Sequence, residues 1–300
     1  MSLDGIIVID KPKDITSFKV VSIVRRSLGI KKVGHMGTLD PMATGVLPVM
    51  LGKATKTLDL IVNHKKKYKA SVKFGLETDT QDITGKIAKY YDKKIKCDEL
   101  EQAVGRFTGE IYQIPPMYSA VKRGGVKLYE LARRGECVER DKRKVFVDSI
   151  DIIDFDEQKQ EATILVNCSR GTYIRSLCAD IGEALGSAGT MTGLRRLESN
   201  GFSIDMSLTV EKFLEYIKLG RIDDMIVPLE SLFDDLKDIY ITHSQAVRFG
   251  NGAGLLLDRL KSSQKWINGD RYRVFEGSKF LGLGAVDIYK EELSVFKLLS

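Results

Sequence analysis

Segments that read as strands and segments that read as helices follow one another here without a strict strand–helix–strand alternation, and that order limits the possible folds. Residues 67–74 alternate polar with apolar side chains, and a period of two is typical of a strand with one wet face. Residues 17–28 have apolar side chains at helical spacing, after Thr16 or Ser17 as a cap and before Gly29 as a stop. Such a mixture predicts an α+β fold.

The rest of the chain continues this mixture as far as Pro228, after which the predicted segments are shorter. Asp98 and Glu101 have the spacing of a capping box that opens a helix through Phe107. After Pro228 the chain breaks into short β-like segments between glycine and polar turns, which predicts a β-rich second domain. We therefore divide the chain into residues 1–232 and 233–300. The other predicted elements are strands over 6–9, 145–155, 162–168, 271–275, 280–286 and 293–296 and a helix over 172–185 that ends at Gly186.

Residues 113–144 stand apart from both patterns. They contain two prolines, the pair Gly124 and Gly125, and at least eight basic residues. A stretch of this composition predicts a projecting, loop-rich insertion that could grip phosphates.

Composition narrows the class of protein. The net charge of +6 suits a polyanionic partner without requiring one. The four cysteines show no C-x-x-C spacing, and the three histidines (His35, His64 and His243) lie far from them, so no zinc site or disulfide framework is indicated. The apolar run at 6–9 is too short for a signal peptide or a membrane span, so we expect a cytoplasmic protein with reduced thiols.

The most informative stretch is GHMGTLDPMATGVLP over residues 34–48. Its three glycines, two prolines and two threonines make a poor helix and a poor strand but a good rigid loop, which could hold the carboxylate of Asp40 beside a substrate. An Asp before Pro41 is, by itself, more often a simple turn residue. Neither Gly282 and Gly284 nor Gly52 has the glycine spacing of a nucleotide-binding loop.

This stretch closely resembles the catalytic loop of the tRNA pseudouridine-55 synthase family. Several further motifs follow in the family's order, and ordered long motifs are harder to reach by accident than one short pattern. They are Lys11-Pro12 with Thr16-Ser17, Lys67-Tyr68, the run 75–85 with Asp82, the run 113–122, the run 169–177 with Arg175, and the run 194–197.

The resemblance implies a fold and a reaction. The fold would be a mixed, largely antiparallel sheet of the pseudouridine synthase type, with a C-terminal domain like the PUA domain of many RNA-binding proteins. The reaction would isomerise uridine 55 in the T loop of tRNA without a metal or nucleotide cofactor, with Asp40 as the catalytic residue. Attack on C1′, attack on C6 and removal of the C2′ proton remain three open routes.

The resemblance also implies roles for other residues. Arg175 would accompany the ionised Asp40, since a buried carboxylate is costly without a cation. Tyr68 would lie against a flipped uracil and could help to remove the C5 proton. His35 would contact RNA, with Asp82 as a residue that could orient it. The further substrate-binding candidates are Leu194 against the base or sugar, Lys11 of the first motif, and Lys122, Arg123, Lys127, Arg133 and Arg134 against phosphates.

Each of these residues also has an ordinary structural reading: core for Tyr68 and Leu194, and a solvated surface charge for Arg175 and the basic residues of 113–144. Two departures from the family are visible. Asp14 replaces the usual glycine, which predicts a differently shaped turn, and the C-terminus lacks the Pro-x-Arg ending of many PUA domains.

Three functional hypotheses follow. The first is a stand-alone, bacterial-type enzyme, monomeric and without an obligate protein partner or a membrane, that binds the T arm and reaches the acceptor stem through its C-terminal domain. The second is the catalytic subunit of a guide-RNA-dependent particle, whose family shares these motifs. The third is an RNA chaperone that folds tRNA without modifying it.

Overall fold

The structure, a computed structural model, describes residues 3–61, 65–260 and 265–300. His64 lies outside these ranges. The helices are α1 (Ser17–Leu28), α2 (Cys97–Gly105), α3 (Leu128–Arg133), α4 (Ile174–Ala184), α5 (Val210–Lys218) and α6 (His243–Gly250). The strands are β1 (Gly5–Lys11), β2 (Val33–His35), β3 (Thr44–Leu51), β4 (Lys66–Phe74), β5 (Leu76–Thr78), β6 (Ile87–Tyr90), β7 (Gly109–Gln113), β8 (Lys122–Arg123), β9 (Val126–Lys127), β10 (Arg143–Asp156), β11 (Glu161–Cys168), β12 (Gly189–Ser199), β13 (Phe202–Ser203), β14 (Leu208–Thr209), β15 (Lys237–Tyr240), β16 (Leu255–Leu256), β17 (Arg271–Glu276), β18 (Lys279–Asp287) and β19 (Glu292–Leu298).

A mixed sheet forms the centre of the molecule. Its strands run in the order β14-β1-β3-β12-β4-β11-β10-β7, with β13 on β12 and β2 on β3. The β1–β14 and β3–β12 pairs are parallel and the other pairs are antiparallel. The predicted α+β class with a largely antiparallel sheet is therefore confirmed.

Helices α4 and α2 cover one face of the sheet around β4 and β11. Tyr68, Ala70, Val72 and Phe74 of β4 point into this core, as the period of two predicts, and they meet Leu177 of α4. Helix α1 packs at the other end of the sheet, where Val20, Val21 and Val24 face β1 and β3. None of the helices in the described ranges is long and apolar enough to cross a membrane.

Most predicted elements are confirmed, including the ends of α1. Thr16 caps this helix by accepting a hydrogen bond from the Lys19 amide at 3.1 Å, and Gly29 ends it in the left-handed conformation. Helix α2 differs from its prediction. It spans Cys97–Gly105, and the Glu99 side chain accepts from the Lys96 amide, so the box closes two residues before the predicted pair.

The prediction of a loop throughout residues 34–48 is wrong at both ends. His35 ends strand β2, and Thr44 begins strand β3, which pairs with β1 along its whole length. Burial explains the difference, because Val46 and Leu47 have no exposed surface and their burial outweighs the weak strand preference of the flanking glycine and proline. The irregular part, residues 36–43, is called the Asp40 loop below.

The turn at Asp14 contains a residue in the left-handed region, with φ of 66°. Glycine reaches this conformation without a steric penalty, so the backbone at Asp14 fits the family's usual residue. We therefore replace the expectation of a differently shaped turn with local backbone strain at Asp14, whose amide donates to the Pro41 carbonyl at 2.8 Å.

Residues 113–144 contain little regular structure: a two-stranded hairpin, β8 and β9, turned by Gly124 and Gly125, and the short helix α3. Leu128 is buried, so the segment has its own anchor. Its first part, before the hairpin, lies against α4, where Ser176 donates to the Ile114 carbonyl at 3.4 Å.

A second sheet, in the order β15-β17-β18-β19-β16, forms the C-terminal part, with helix α6 beside it. Its contact with the first sheet is apolar. Leu283 and Leu299 belong to the same buried cluster as Ile6, Val8 and Met36. The boundary near residue 233 and the likeness to a PUA domain stay predictions.

Gly45 tests how tightly β3 and β12 approach each other. A Cβ at Gly45 would lie 2.1 Å from the Arg196 carbonyl oxygen, at a φ of 105°. We expect Gly45→Ala to lower the free energy of unfolding by about 4 kcal/mol or more, since both backbones must move. Gly109→Ala is the matched control, because its φ is 90° but no atom lies within 4 Å of its Cβ. It should cost only about 1 to 2 kcal/mol of backbone strain. Equal urea midpoints for the two variants would contradict the close approach.

Candidate active site

Two hydrogen bonds connect the Asp40 loop to the first residue of helix α1. The buried hydroxyl of Ser17 donates to the Leu39 carbonyl at 3.1 Å and accepts from the Leu39 amide at 2.9 Å. The Ala43 amide donates to the Asp40 carbonyl at 3.0 Å and closes the turn. The loop therefore holds Asp40 at a fixed place on the sheet.

Arg196 supports the same loop from β12. Its side chain has no exposed surface, yet it forms no ion pair with a carboxylate among the described residues. Its guanidinium donates to the carbonyls of Val46 at 2.7 Å, Gly37 at 3.1 Å and Thr38 at 3.4 Å. A buried cation is costly unless its donors are satisfied, so these carbonyls are held in fixed positions around it.

Asp40 meets Arg175 of α4 in a two-point ion pair. Arg175 Nε lies 3.0 Å from Asp40 Oδ2, and Nη2 lies 3.4 Å from Oδ1. Arg175 is 6% exposed, whereas the Asp40 side chain is 34% exposed, so the carboxylate keeps an open side. The predicted pairing of these two residues is thus present in the structure, and it leaves Asp40 accessible to a substrate.

Asp82 lies on the other side of Arg175, with Oδ2 3.5 Å from Nη1. Its Oδ1 accepts from the Thr80 hydroxyl at 2.9 Å and from the Thr84 amide at 3.0 Å. Gln81, between Thr80 and Asp82, has a φ of 63°, which is backbone strain of the kind that clusters at functional sites. The buried carboxylate of Asp82 thus binds Arg175 and the two threonines in this structure, and a contact of Asp82 with substrate or with His35 stays a prediction.

Opposing effects act on the pKa of the Asp40 carboxyl. Burial raises the pKa of the Asp40 carboxyl above its usual value, and the Arg175 guanidinium opposes that shift. The charge of Asp82 raises the pKa of Asp40 further, and Lys11 lowers it. Arg175 therefore pairs with two carboxylates. The pKa of Asp40 is higher than it would be if Arg175 paired with Asp40 alone.

Tyr68 and Leu194 lie on the face of the sheet that carries the Asp40 loop. Tyr68 is 6% exposed, and burial raises the pKa of its phenol while a hydrogen bond with Arg196 lowers it. Leu194 pairs with Ala70 and packs partly buried against the same core. Both residues fit their structural reading as core, and both also lie beside the Asp40 loop.

His35 lies at the start of the loop, where its Nδ1 accepts from the Gly37 amide at 3.2 Å. Burial lowers the pKa of His35, and the charges of Arg196 and Lys66 lower it further. The imidazole is therefore neutral at pH 7, with the proton assigned to Nε2 because Nδ1 is an acceptor.

Lys11 is enclosed by the protein in this structure, and its role as a substrate contact stays a prediction. The side chain has no exposed surface, and Nζ donates to the carbonyls of Pro12 and Ile15 at 2.8 Å and of Pro41 at 3.1 Å. Lys11 thus fastens the Asp40 loop to the end of β1. Burial lowers the pKa of its ammonium to about 8.

Most basic residues of 113–144 are exposed. Lys127 and Arg133 flank the ring of Tyr129, at 5.4 Å and 5.5 Å from its centroid. Lys122, Arg123 and Arg134 are exposed. The segment joins the site through its backbone, because Arg175 Nη2 donates to the Tyr118 carbonyl at 2.8 Å.

Sequence reasoning missed Arg196, Ser17 and Lys66 as parts of the site. A signal was present for Arg196, because the period of two places it on the same face of β12 as Leu194. Within the described ranges, no group of three or more histidine, cysteine, aspartate or glutamate side chains is placed to hold a metal ion.

Comparison with known proteins decides the family. Residues 25–174 match the N-terminal domain of the TruB family pseudouridylate synthases, and residues 175–234 match the C-terminal domain of tRNA pseudouridylate synthase B. The chain belongs to the TruB family of pseudouridylate synthases. As a member of this family it is a pseudouridine synthase.

Relatives match along the whole length. "tRNA pseudouridine synthase B" of Clostridium tetani is 44% identical over 99% of this chain and 100% of that protein. The protein of the same name from Aquifex aeolicus is 37% identical over 94% of this chain and 95% of its own. Among solved structures, a "Cbf5-Nop10-Gar1 Complex" contains a chain that is 27% identical, with a TM-score of 0.73 over 99% of this chain and 85% of that one. The fold is thus shared with the chain from this solved complex.

Lys11 gives a stability test of the loop tie. The pKa of its ammonium is about 8 in the folded protein, against an ordinary value of 10.5. The unfolded chain therefore binds more protons between these two values, and stability rises with pH there. From pH 7.5 to 9.5 we expect a gain of about 2 kcal/mol from Lys11 in the wild type, which Lys11→Met should lose.

Urea unfolding followed by circular dichroism at the two pH values measures this gain. Lys13→Met, a change at the exposed neighbouring lysine, should keep it. A pH dependence in Lys11→Met equal to that of the wild type would mean that the ammonium is not desolvated.

Proposed function

We propose that this pseudouridine synthase acts on tRNA and converts the uridine at position 55 of the T loop to pseudouridine, with Asp40 as the catalytic carboxylate. The observation that carries the proposal is the Asp40–Arg175–Asp82 arrangement. It presents one partly exposed carboxylate, fixed by a buried cation, on a loop that three separate elements hold. The names of the relatives, which are 37–44% identical over nearly the whole chain, support tRNA as the substrate.

The reaction breaks the C1′–N1 bond, turns the uracil and forms a C1′–C5 bond. Atoms balance because the proton that leaves C5 is matched by one gained at N1. Each of the three routes needs an ionised Asp40: as a nucleophile towards C1′ or C6, or as a base towards the C2′ proton. Arg175 supports the ionised form through its two contacts, while burial and Asp82 keep the carboxylate basic.

A uridine stacked inside a T loop must leave the stack to reach Asp40. Flipping costs a few kcal/mol, which stacking and hydrogen bonds in the site must offset. Tyr68 and Leu194, beside the Asp40 loop, would supply apolar surface for the base and sugar. Burial raises the pKa of the Tyr68 phenol, so it is protonated at pH 7 and would help to remove the C5 proton only by passing its own proton on in the same step.

The segment 113–144 would close over the T arm. The Tyr118 carbonyl, near the start of this segment, accepts a hydrogen bond from Arg175. The exposed residues Lys122, Arg123 and Arg133 of the segment would contact phosphates. Such contacts position RNA without reading its sequence. Lys127 beside Tyr129 would act in the same way. The C-terminal sheet would extend the contact towards the acceptor stem.

The test is release of tritium from C5-labelled uridine in a transcribed tRNA. We expect Asp40→Asn to lower the rate on the order of 10³-fold or more, because it removes the charge and keeps the shape. Asp59→Asn, at an exposed carboxylate outside the site, should leave the rate unchanged. Mapping the product by chemical probing should locate it in the T loop.

Three outcomes would overturn the proposal. Equal release by the wild type and Asp40→Asn would remove the catalytic assignment. No release by the wild type, with tRNA folding still assisted, would favour the chaperone hypothesis. Release that appears only after a guide RNA and partner proteins are added would favour the guide-dependent hypothesis, which the likeness to the chain from the Cbf5 complex keeps in view.

A further inference from the structure

Three basic side chains meet behind the Asp40 loop, on the side away from Arg175. Lys66 begins β4 on the same face as Tyr68, Arg196 is the β12 residue paired with Tyr68, and Arg170 lies in the turn before α4. Among the described residues, no carboxylate forms an ion pair with Lys66 or with Arg196. Mutual repulsion of this kind costs free energy in the protein without RNA.

Gly37 leaves space between two of these cations. The point where a Cβ on Gly37 would stand is 3.2 Å from Lys66 Nζ and 3.7 Å from Arg196 Nη1. The φ of Gly37 is 137°, a conformation that other residues rarely adopt, so the loop keeps this space free of a side chain. The Lys66 ammonium therefore lies beside the bare backbone of Gly37 with the charge of Arg196 close to it, and this positive field suits an anion.

Lys66 is also reachable from solvent. It lines a cavity of about 290 Å³ together with Ser149, Asn167 and Cys168. Asp148 and Glu198 line the same cavity, and Asp148 pairs with Lys65 at 3.4 Å. The cavity therefore gives access to the amine and leaves its charge without a partner.

We propose that Lys66, with Arg196 behind it and the open face of Gly37 beside it, binds a backbone phosphate of the RNA next to the nucleotide that enters the site. This rests on the proposed function, which makes RNA the substrate. Arg196 contributes its positive charge rather than a direct contact with the phosphate, because its guanidinium already donates to the carbonyls of Gly37, Thr38 and Val46. The phosphate would relieve the repulsion among the three cations, so binding energy is gained at a place that also holds the Asp40 loop.

The groups that face Lys66 determine its titration. Burial and the charge of Arg196 lower the pKa of the Lys66 ammonium to about 8; Cys168 opposes this shift, and Arg170 adds a smaller contribution to it. His35, whose own pKa Lys66 lowers, is neutral at pH 7. A phosphate beside Lys66 favours its charged form, so RNA binding should weaken as the pH rises through about 8.

The experiment measures equilibrium binding of a synthetic T-arm hairpin that carries pseudouridine at the target position, so that nothing turns over. Lys66→Met should bind roughly ten-fold more weakly at 0.1 M salt, and the slope of log K against log salt should fall by about 0.7 to 0.9. Lys69→Met is the matched control, because this exposed lysine of β4 points to the opposite face of the sheet and does not line the cavity that Lys66 lines. It should change neither quantity.

Lys66→Arg separates charge from structure. An arginine keeps the cation but stays protonated over the whole range, so this variant should keep binding within about three-fold and lose the fall in affinity between pH 7.5 and 9. Lys11, which titrates in the same range but is enclosed by the protein, is present in both proteins and cancels in the comparison.

The outcomes are distinguishable. Equal affinity and salt slope for Lys66→Met and Lys69→Met, with the wild type binding the hairpin, would overturn the phosphate site and leave the proposed function intact. A wild type that does not bind the hairpin would count against the proposed function itself. A pH dependence in Lys66→Arg equal to that of the wild type would also overturn the assignment.

Discussion

The buried guanidinium of Arg196 is the contact on which the arrangement of this site depends. It has no exposed surface and no carboxylate partner among the described residues, so the carbonyls of Gly37, Thr38 and Val46 must satisfy it. A charge in that position is stable only while the Asp40 loop stays folded over it. Because the buried guanidinium needs these carbonyls, it holds the segment that carries the candidate catalytic residue in one conformation.

The charges around the loop are divided between its two sides. On one side Arg175 lies between two carboxylates, Asp40 and Asp82, and one carboxylate remains in excess. On the other side Arg196 and Lys66 lie together, and among the described residues no carboxylate forms an ion pair with either of them. An electron-poor sugar beside the first side and a phosphate beside the second would each meet the opposite charge, which would orient a nucleotide across the loop.

The fold and the family could be predicted from the sequence because both depend on local patterns. Alternation in β4 and the cap and stop of α1 determine elements that packing then confirms. The contacts of the site could not be predicted in this way. Asp82 binds Arg175 rather than His35, and Lys11 is enclosed rather than exposed, because both positions depend on how segments far apart in the chain meet.

The sequence by itself determined which residue types are present, where strands and helices form, and that Asp40 lies in a segment rich in glycine and proline. Only the tertiary structure decided that this segment becomes a strand from Thr44 onward, that Arg175 reaches Asp40 across 135 residues, and that Lys66 and Arg196 converge at Gly37. The physical reason is the separation along the chain over which each interaction acts. Backbone preference acts over a few neighbouring residues, whereas burial and charge act through space between parts of the chain that only the folded sheet brings together.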